Sequence, residues 1–484
     1  MGPLTGEMPP TGMRLESLAW ASDHFAQADL GDTRLDLRLL RLAATLVEHP
    51  AMSLPKQFSG GADLAAAYRF FSNPSVDPQA ILAPHVDRVR RQARQHPVVL
   101  CVADDTELDY TSHANTRGRG QIGDGRGLGL LQHSALAVLP GGEVLGLLDV
   151  AWHAPAPAPE KETLRQRQAR WNQSDVWAEA VEAIGRWEGA GLLVQVGDRH
   201  ADQFRHLGTV LQQGQAFVVR AMHDRYVDES EQITRIWAKL QDQPVLGQIR
   251  VQIGAQRDHR GRVTRQGREA VLSLRTAPVV ISPPCNDPRT TAWAAIAAWA
   301  IYLQEENPPA GLPPEQVVEW MLLSSLPVED LASAVRIVGY YTRRWVIEEW
   351  HRCYKQGCQI EARQLDDVED LQRLAAILCV VAVRLLQVRD LADAQHPEAQ
   401  NPQALRELVP PLYLEVVAKL CQTPVAELTP RQFFLQVARQ GGYLGRKHDP
   451  RPGWLVLWRG WYDLSQMVRG IEIYQALHQP TTDV

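Results

Sequence analysis

Cysteine is scarce in this chain and carries no paired spacing. Six cysteines are spread over 484 residues. No CxxC pair occurs, so neither a zinc ribbon nor a thiol-redox motif is expected. The short cluster His351, Cys353 and Cys358 lacks the second half that a zinc site needs, and reads as reduced thiols. A charged-then-apolar leader is missing from the first residues. No run reaches the roughly 20 apolar residues that a membrane helix needs. The most apolar stretch, Leu374 to Leu386, is interrupted by Arg384 and reads as a buried helix. The expectation is a cytoplasmic protein without membrane association. Positive charge is not in excess either, since the formal net charge is −6. That excludes a chain basic all over. It leaves room for basic strips on an acidic body, because phosphate binding depends on where charge sits. Internal repeats and low-complexity segments are also lacking.

What is present is an ordinary globular balance, 45% hydrophobic and 22% charged, in a chain long enough for several domains. Residues 14 to 49 carry a helical apolar period interrupted at Gly31 and Asp32, where Asp32 can cap a helix starting at Thr33. Helical stretches follow at Ala62 to Phe71 and Pro78 to Gln95. Arg34, Arg38, Arg41 and Arg69 lie on the faces of this front section. The texture changes at Pro97 to Ala103, an apolar run that fits a buried strand. A Gly-rich loop spans Gly118 to Gly129. Two strand-like runs then flank Pro140-Gly141-Gly142 as a hairpin. A polar helix over about Glu160 to Glu188 leads to a strand, Gly191 to Val196, and then to Gly197-Asp198-Arg199. Ala216 to Ala221 is another strand, carrying Arg220. Strand, hairpin, helix, strand, helix, strand is the order of a ribonuclease-H-like α/β fold, which needs one more helix to cover its sheet. About a hundred residues of short strand-like runs intervene before that helix, among them the basic stretch Arg250 to Arg275. Helical pattern resumes near Pro327 and runs past Lys355, and the rest of the chain is helical. The resulting segments are 1–83, 84–221, 222–326, 327–370 and 371–484.

Asp105 and Asp198 each follow a strand, where functional groups of open sheets collect. Either alone reads equally as a turn residue or helix cap. The sharper feature is the helix Tyr341 to Lys355. With about 100° per residue and Tyr341 at zero, Arg344 falls near 300°, Glu348 near 340° and Lys355 near 320°. The four share one narrow face, while Glu349 lies about 100° from Glu348. The plain alternative is a solvated charged stripe with an Arg344–Glu348 pair. The chemical reading is phosphoryl transfer, because three carboxylates can hold two hard cations such as Mg²⁺ or Mn²⁺. Arg344, Lys355 and Tyr341 would then grip phosphates beside the scissile bond. The literal GxGxxG at Gly118 to Gly123 precedes a hairpin, the wrong context for a dinucleotide fold, and reads as a loop near the site.

These residues resemble bacterial cut-and-paste DDE transposases of the YREK-signature group. Tyr341, Arg344, Glu348 and Lys355 have that group's spacing. Ala103-Asp-Asp105-Thr is similar to its first aspartate block and Val196-Gly-Asp198-Arg-His-Ala-Asp202 to its second. Trp320-Met-Leu-Leu matches the block of the tryptophan that holds a flipped base. Leu30-Gly-Asp-Thr-Arg34 and Tyr68-Arg-Phe70 resemble the front end, and Trp458-Arg-Gly-Trp461 the tail. His200 stands where glutamate is usual, and Leu35 where arginine is common. The resemblance implies a metal triad of Asp105, Asp198 and Glu348 with two Mg²⁺ or Mn²⁺ per site. Tyr341, Arg344, Lys355, Trp320, Arg34, Arg38 and Arg220 would be DNA contacts. It further implies end recognition by 1–83, a ribonuclease-H-like core in 84–221 and 327–370, a β-rich insertion clamping DNA in 222–326, and a dimerising helical tail in 371–484. The partners implied are transposon ends, target DNA and a second copy of the chain. A stand-alone nuclease and a non-catalytic DNA binder derived from such an enzyme remain as alternatives.

Overall fold

The computed structural model describes residues 15–478 except 59, 158, 160, 164–165, 167–169, 189–190, 230–231, 255, 258–261, 286, 391–399 and 447–451. Arg260 and the expected helix start at Glu160 lie outside the described residues. The chain opens with helices Leu15–Phe25, Thr33–Glu48, Leu54–Gln57, Gly61–Phe71 and Pro78–Ala93. Asp32 caps the second, its carboxylate accepting from the Arg34 N–H at 2.9 Å. The fifth helix runs through residue 83 and its apolar side packs into the central core.

The strands are β1 (Val98–Asp109), β2 (Gly120–Ile122), β3 (Gly127–Val138), β4 (Val144–His153), β5 (Leu192–Gly197), β6 (Ala216–Arg220), β7 (Tyr226–Glu229), β8 (Gln232–Arg235), β9 (Gly247–Ile253), β10 (Gln256–Arg257), β11 (Val263–Arg265), β12 (Arg268–Ile281), β13 (Ile296–Glu306) and β14 (Glu319–Ser324). Twelve of the described strands form one mixed sheet in the order β2-β3-β1-β5-β6-β14-β13-β12-β7-β8, with β4 beside β3 and β9 beside β12. β1 and β3 are antiparallel, whereas β1, β5 and β6 run parallel. The stretch read as a β-rich insertion joins the main sheet through β14, which pairs with β6 (Leu322↔Arg220). The Gly-rich loop is also partly structured, because Gln121 pairs with Leu128 across a tight hairpin.

Alternation along the strands divides the core in two. On β1, Leu100 and Val102 face one apolar cluster, while Val99, Cys101 and Ala103 face the other. The first face is covered by the front helices, by Leu331–Thr342 and Trp345–Arg352, and by the long helix Val368–Asp390. The second is covered by Val176–Ile184, Phe204–Gln212 and Ile236–Gln241. The helix expected over Glu160 to Glu188 is, among the described residues, a short 3₁₀ turn at Gln173–Asp175 followed by Val176–Ile184. Val368–Asp390 is long and apolar enough to cross a membrane by length and composition, contrary to the sequence reading. However, 83% of its apolar window is buried inside the fold. Helices Pro402–Leu408, Pro411–Cys421, Pro430–Gln440 and Trp454–His478 close the chain around a smaller third cluster.

Two buried arginines tie the front helices to the core. Arg373 donates to the carbonyls of Phe71 (3.0 Å) and Val76 (2.7 Å). Arg363 donates to those of Pro50, Met52 and Cys358. Nearby, His85 Nε2 accepts from the Leu147 N–H (3.1 Å), so its proton sits on Nδ1 and is donated to His24 Nδ1 at 2.9 Å. Burial, with Arg88 alongside, pushes His24 down to about 3 and His85 well below its usual range.

Arg363→Met leaves three buried carbonyls without their donor and should cost about 3 kcal/mol in denaturant unfolding; a change below about 0.5 kcal/mol would refute the tie. The histidine pair is neutral in the fold, while an unfolded histidine takes up a proton near its usual value of 6.5. Its stabilisation is therefore complete above about 6.5 and is lost as pH falls toward 3. Melting temperature should drop over that window, and His24→Phe should flatten part of the drop.

Candidate active site

The same alternation selects the residues of one site. Val102 and Val196 are partners across β1 and β5, and Val196 and Val218 across β5 and β6. Two residues further on, Asp104, Asp198 and Arg220 stand in a row at one level of the sheet. All share the parity of the residues that face the first cluster. Trp320 on β14 belongs to the same face, two residues before Leu322, the partner of Arg220. The registered pairing of β1 with β5 ends at Val102↔Val196 while β1 continues against β3, which opens a notch beside Asp104. Strand ends of this kind are where open sheets place their sites.

Gly197 sets how β5 ends. A Cβ there would stand 2.3 Å from the Ala201 Cβ and 2.8 Å from the Trp177 ring. Only glycine lets the chain turn closely enough for Asp198 to cap the next turn, accepting from the His200 N–H at 2.7 Å.

Over this face lies the segment Tyr341 to Lys355, which is not the continuous helix the sequence suggests. The helix Leu331–Thr342 stops, and Arg343 and Arg344 form a tight turn closed by bonds three residues back (Arg343 N to Tyr340 O, 3.1 Å; Arg344 N to Tyr341 O, 3.0 Å). Trp345–Arg352 follows, and then a π turn at Cys353–Gly357. Arg344 bridges two carboxylates, Asp104 at 3.1 Å and Glu348 at 2.7 Å. Glu349 turns away to the half-buried Arg389. Tyr341 is buried, lies within reach of the Arg220 charge, and packs edge-on against Trp320 at 5.3 Å between ring centres. Arg220 donates to the Glu319 carbonyl at 3.1 Å. Lys355 lies apart from the Arg344 pair, because the π turn redirects it. Its Nζ donates to the Glu107 carbonyl at 2.5 Å and pairs with Glu361 at 3.1 Å.

Asp105, the aspartate named from the sequence, does not join this row. Asp105 has the opposite parity and accepts from Gln173 Nε2 at 2.5 Å, with His200 Nδ1 3.8 Å away. Asp104 is the one that meets Arg344. Burial and then the charge of Asp198 push Asp104 up to about 7, with Arg344 pulling the other way. His200 Nδ1 lies 3.9 Å from Asp198 as well.

The donors that converge here are hard carboxylate oxygens, which suit Mg²⁺ or Mn²⁺. The unfavourable ionisation of Asp104 beside Asp198 is what a bound cation would relieve. As they stand, no three His, Cys, Asp or Glu side chains among the described residues enclose an ion. Arg344 occupies the space between Asp104 and Glu348. Cys353, Cys358 and His351 are all buried in the core. Arg34 is exposed and pairs with Asp32 at 2.7 Å, and Arg38 pairs with Asp63 at 3.4 Å. Both lie on the front helices, away from the row of carboxylates by sequence and element.

Two segments match known families. Residues 17–76 match the family model described as transposase DNA-binding, and residues 167–384 match that described as transposase DDE domain. Asp198, Arg220, Trp320, Tyr341, Arg344, Glu348 and Lys355 fall inside the second match, whereas β1 with Asp104 and Asp105 falls outside both.

If Asp104 is the carboxylate that works with Asp198 and Glu348, Mn²⁺ should raise the melting temperature of the wild type. Asp104→Asn should abolish that rise and Asp105→Asn should keep it; the reverse pattern would return the role to Asp105.

Proposed function

We propose that this chain, which carries a transposase DNA-binding segment and a transposase DDE segment, is a metal-dependent cut-and-paste DNA transposase of the YREK-signature group. The observation that carries this reading is Arg344, from the signature segment, bridging Asp104 of β1 and Glu348 of its own helix while the charge of Asp198 bears on Asp104. Groups from three distant parts of the chain converge on one point of the sheet. A ribonuclease-H-like core is supported by the strand order. β4, β3 and β1 form an antiparallel meander, and β5 and β6 then run parallel to β1. In this reading the front helices (1–83) recognise the transposon ends, with Arg34 and Arg38 toward DNA. Residues 84–221 and 327–370 form the catalytic core, 222–326 clamp DNA, and 371–484 join two copies. The tail helix supports the last point by exposing Ile473, Tyr474 and Leu477.

Asp104, Asp198 and Glu348 would hold two Mg²⁺ or Mn²⁺ ions. When bound, such ions activate an attacking hydroxyl and stabilise the leaving oxygen of an in-line phosphoryl transfer. The chain's own groups do the positioning. Arg344 exchanges its two carboxylates for a phosphate oxygen as the backbone of the DNA arrives, a bidentate contact suited to a guanidinium. Lys355 supplies a point charge one step along the strand. Tyr341 and Arg220, neighbours on this face, orient the flanking phosphate. Trp320, edge-on to Tyr341, offers its face to a base turned out of the duplex. The reaction order is a 3′-end nick, attack of the freed hydroxyl on the opposite strand, opening of that hairpin, and joining to target DNA. A net charge of −6 is compatible with this, because the contacts are local.

The test is cleavage and strand transfer on duplexes carrying the element's own ends, with Mg²⁺ or Mn²⁺. Wild type should yield hairpins and joined products. Glu348→Ala and Asp104→Asn should bind the ends yet cut at least about 10³-fold more slowly, because each removes a metal-holding carboxylate. Cutting without joining would make the chain a nuclease. Binding without cutting under either metal would make it a non-catalytic DNA binder.

A further inference from the structure

We infer that Trp458 of the tail helix is a positioning residue for Lys355, acting through the π turn at Gly357. The inference rests on the reading above that Lys355 holds a phosphate. Helix Trp345–Arg352 does not continue as an α-helix. Cys353–Gly357 winds one residue wider, closed by the Cys358 N–H on the Cys353 carbonyl at 2.9 Å. A π turn is intrinsically unfavourable and persists where packing enforces it, often beside a functional group. Here it decides where Lys355 points: toward Glu107 and Glu361, at the rim of the notch beside β1.

The packing that enforces the turn comes from two sides. Inside, Tyr354 is fully buried and stacks on Trp350 with 5.4 Å between ring centres and an interplanar angle of 8°. Outside, the indole of Trp458 lies directly on Gly357. A Cβ at Gly357 would stand 2.4 Å from Trp458 Cζ2, so the ring fills the space any side chain would need. Trp458 cannot readily retreat, because its own helix is seated backbone to backbone on Pro430–Gln440. A Cβ at Gly460 would stand 1.7 Å from the Val437 carbonyl oxygen, and one at Gly441 1.8 Å from that of Val456. The tail therefore presses on the one turn that aims the lysine, about a hundred residues away in sequence. Seating of the tail helix is the condition for Lys355 to reach a phosphate.

The test is the salt dependence of end-DNA binding by the full chain, read by fluorescence anisotropy and so independent of cutting. Loss of one phosphate contact lowers the slope of log K against log salt by about one. Lys355→Ala should do this, and Trp458→Ala should do the same. The double variant should lose no more than either single one, and Trp458→Phe should restore the wild-type slope. Gly357→Ala, which crowds the same contact from the other side, gives a second route should Trp458→Ala fail to fold. A wild-type slope in Trp458→Ala or Gly357→Ala, or losses that add in the double variant, would overturn the inference. A wild type that binds with the expected slopes but never cuts would instead count against the transposase chemistry alone.

Discussion

The site depends on one geometric constraint, the two-residue alternation of four neighbouring strands held in a common register. Leu100, Val102 and Asp104 on β1, Val194, Val196 and Asp198 on β5, Val218 and Arg220 on β6, and Trp320 and Leu322 on β14 share one face. The apolar members of each series bury against the helices above, and that burial fixes the register. The polar members then emerge side by side where the apolar series ends. A slip of one residue in any strand would turn its functional group to the opposite cover, so core packing and site geometry are one specification. Gly197 is part of it, since the close turn it permits lets β5 end beneath Trp177 and Ala201 with Asp198 in line.

Charge balance explains the arrangement above the sheet. Burial in the notch, and then repulsion from the neighbouring Asp198 carboxylate, raises Asp104. Arg344 answers that repulsion, and its position on the helix that also bears Glu348 lets one guanidinium serve both acids. On the proposed reading, Asp104, Asp198 and Glu348 would suit a pair of hard cations, and the arginine they free would suit a phosphate.

Much of this is visible in the residues alone. The run Pro97 to Ala103 became β1, the Pro140-Gly141-Gly142 turn joins β3 to β4, and the Tyr341, Arg344, Glu348, Lys355 spacing falls within the segment matched as a transposase DDE domain. The choice between Asp104 and Asp105 was not legible, because alternation separates the two faces of a strand without saying which face the signature helix covers. The tight turn at Arg343 and Arg344 left no mark either. It substitutes bonds three residues back for the usual four but keeps helical dihedrals, so the periodic pattern runs through it. Nor did the π turn at Cys353–Gly357, which Trp350 and Tyr354 pack from inside and Trp458 from outside. The stretch 222–326 reads as an insertion in sequence, yet its last strand pairs into the main sheet. That pairing is long-range and has no local signal.

The most direct measurement is anomalous X-ray scattering from crystals of the protein bound to end DNA in Mn²⁺. The account predicts manganese peaks bounded by the carboxylates of Asp104, Asp198 and Glu348, with the Arg344 guanidinium on a phosphate. Manganese held by Asp105 and His200 with Asp104 still paired to Arg344, or no manganese at this face of the sheet, would contradict it.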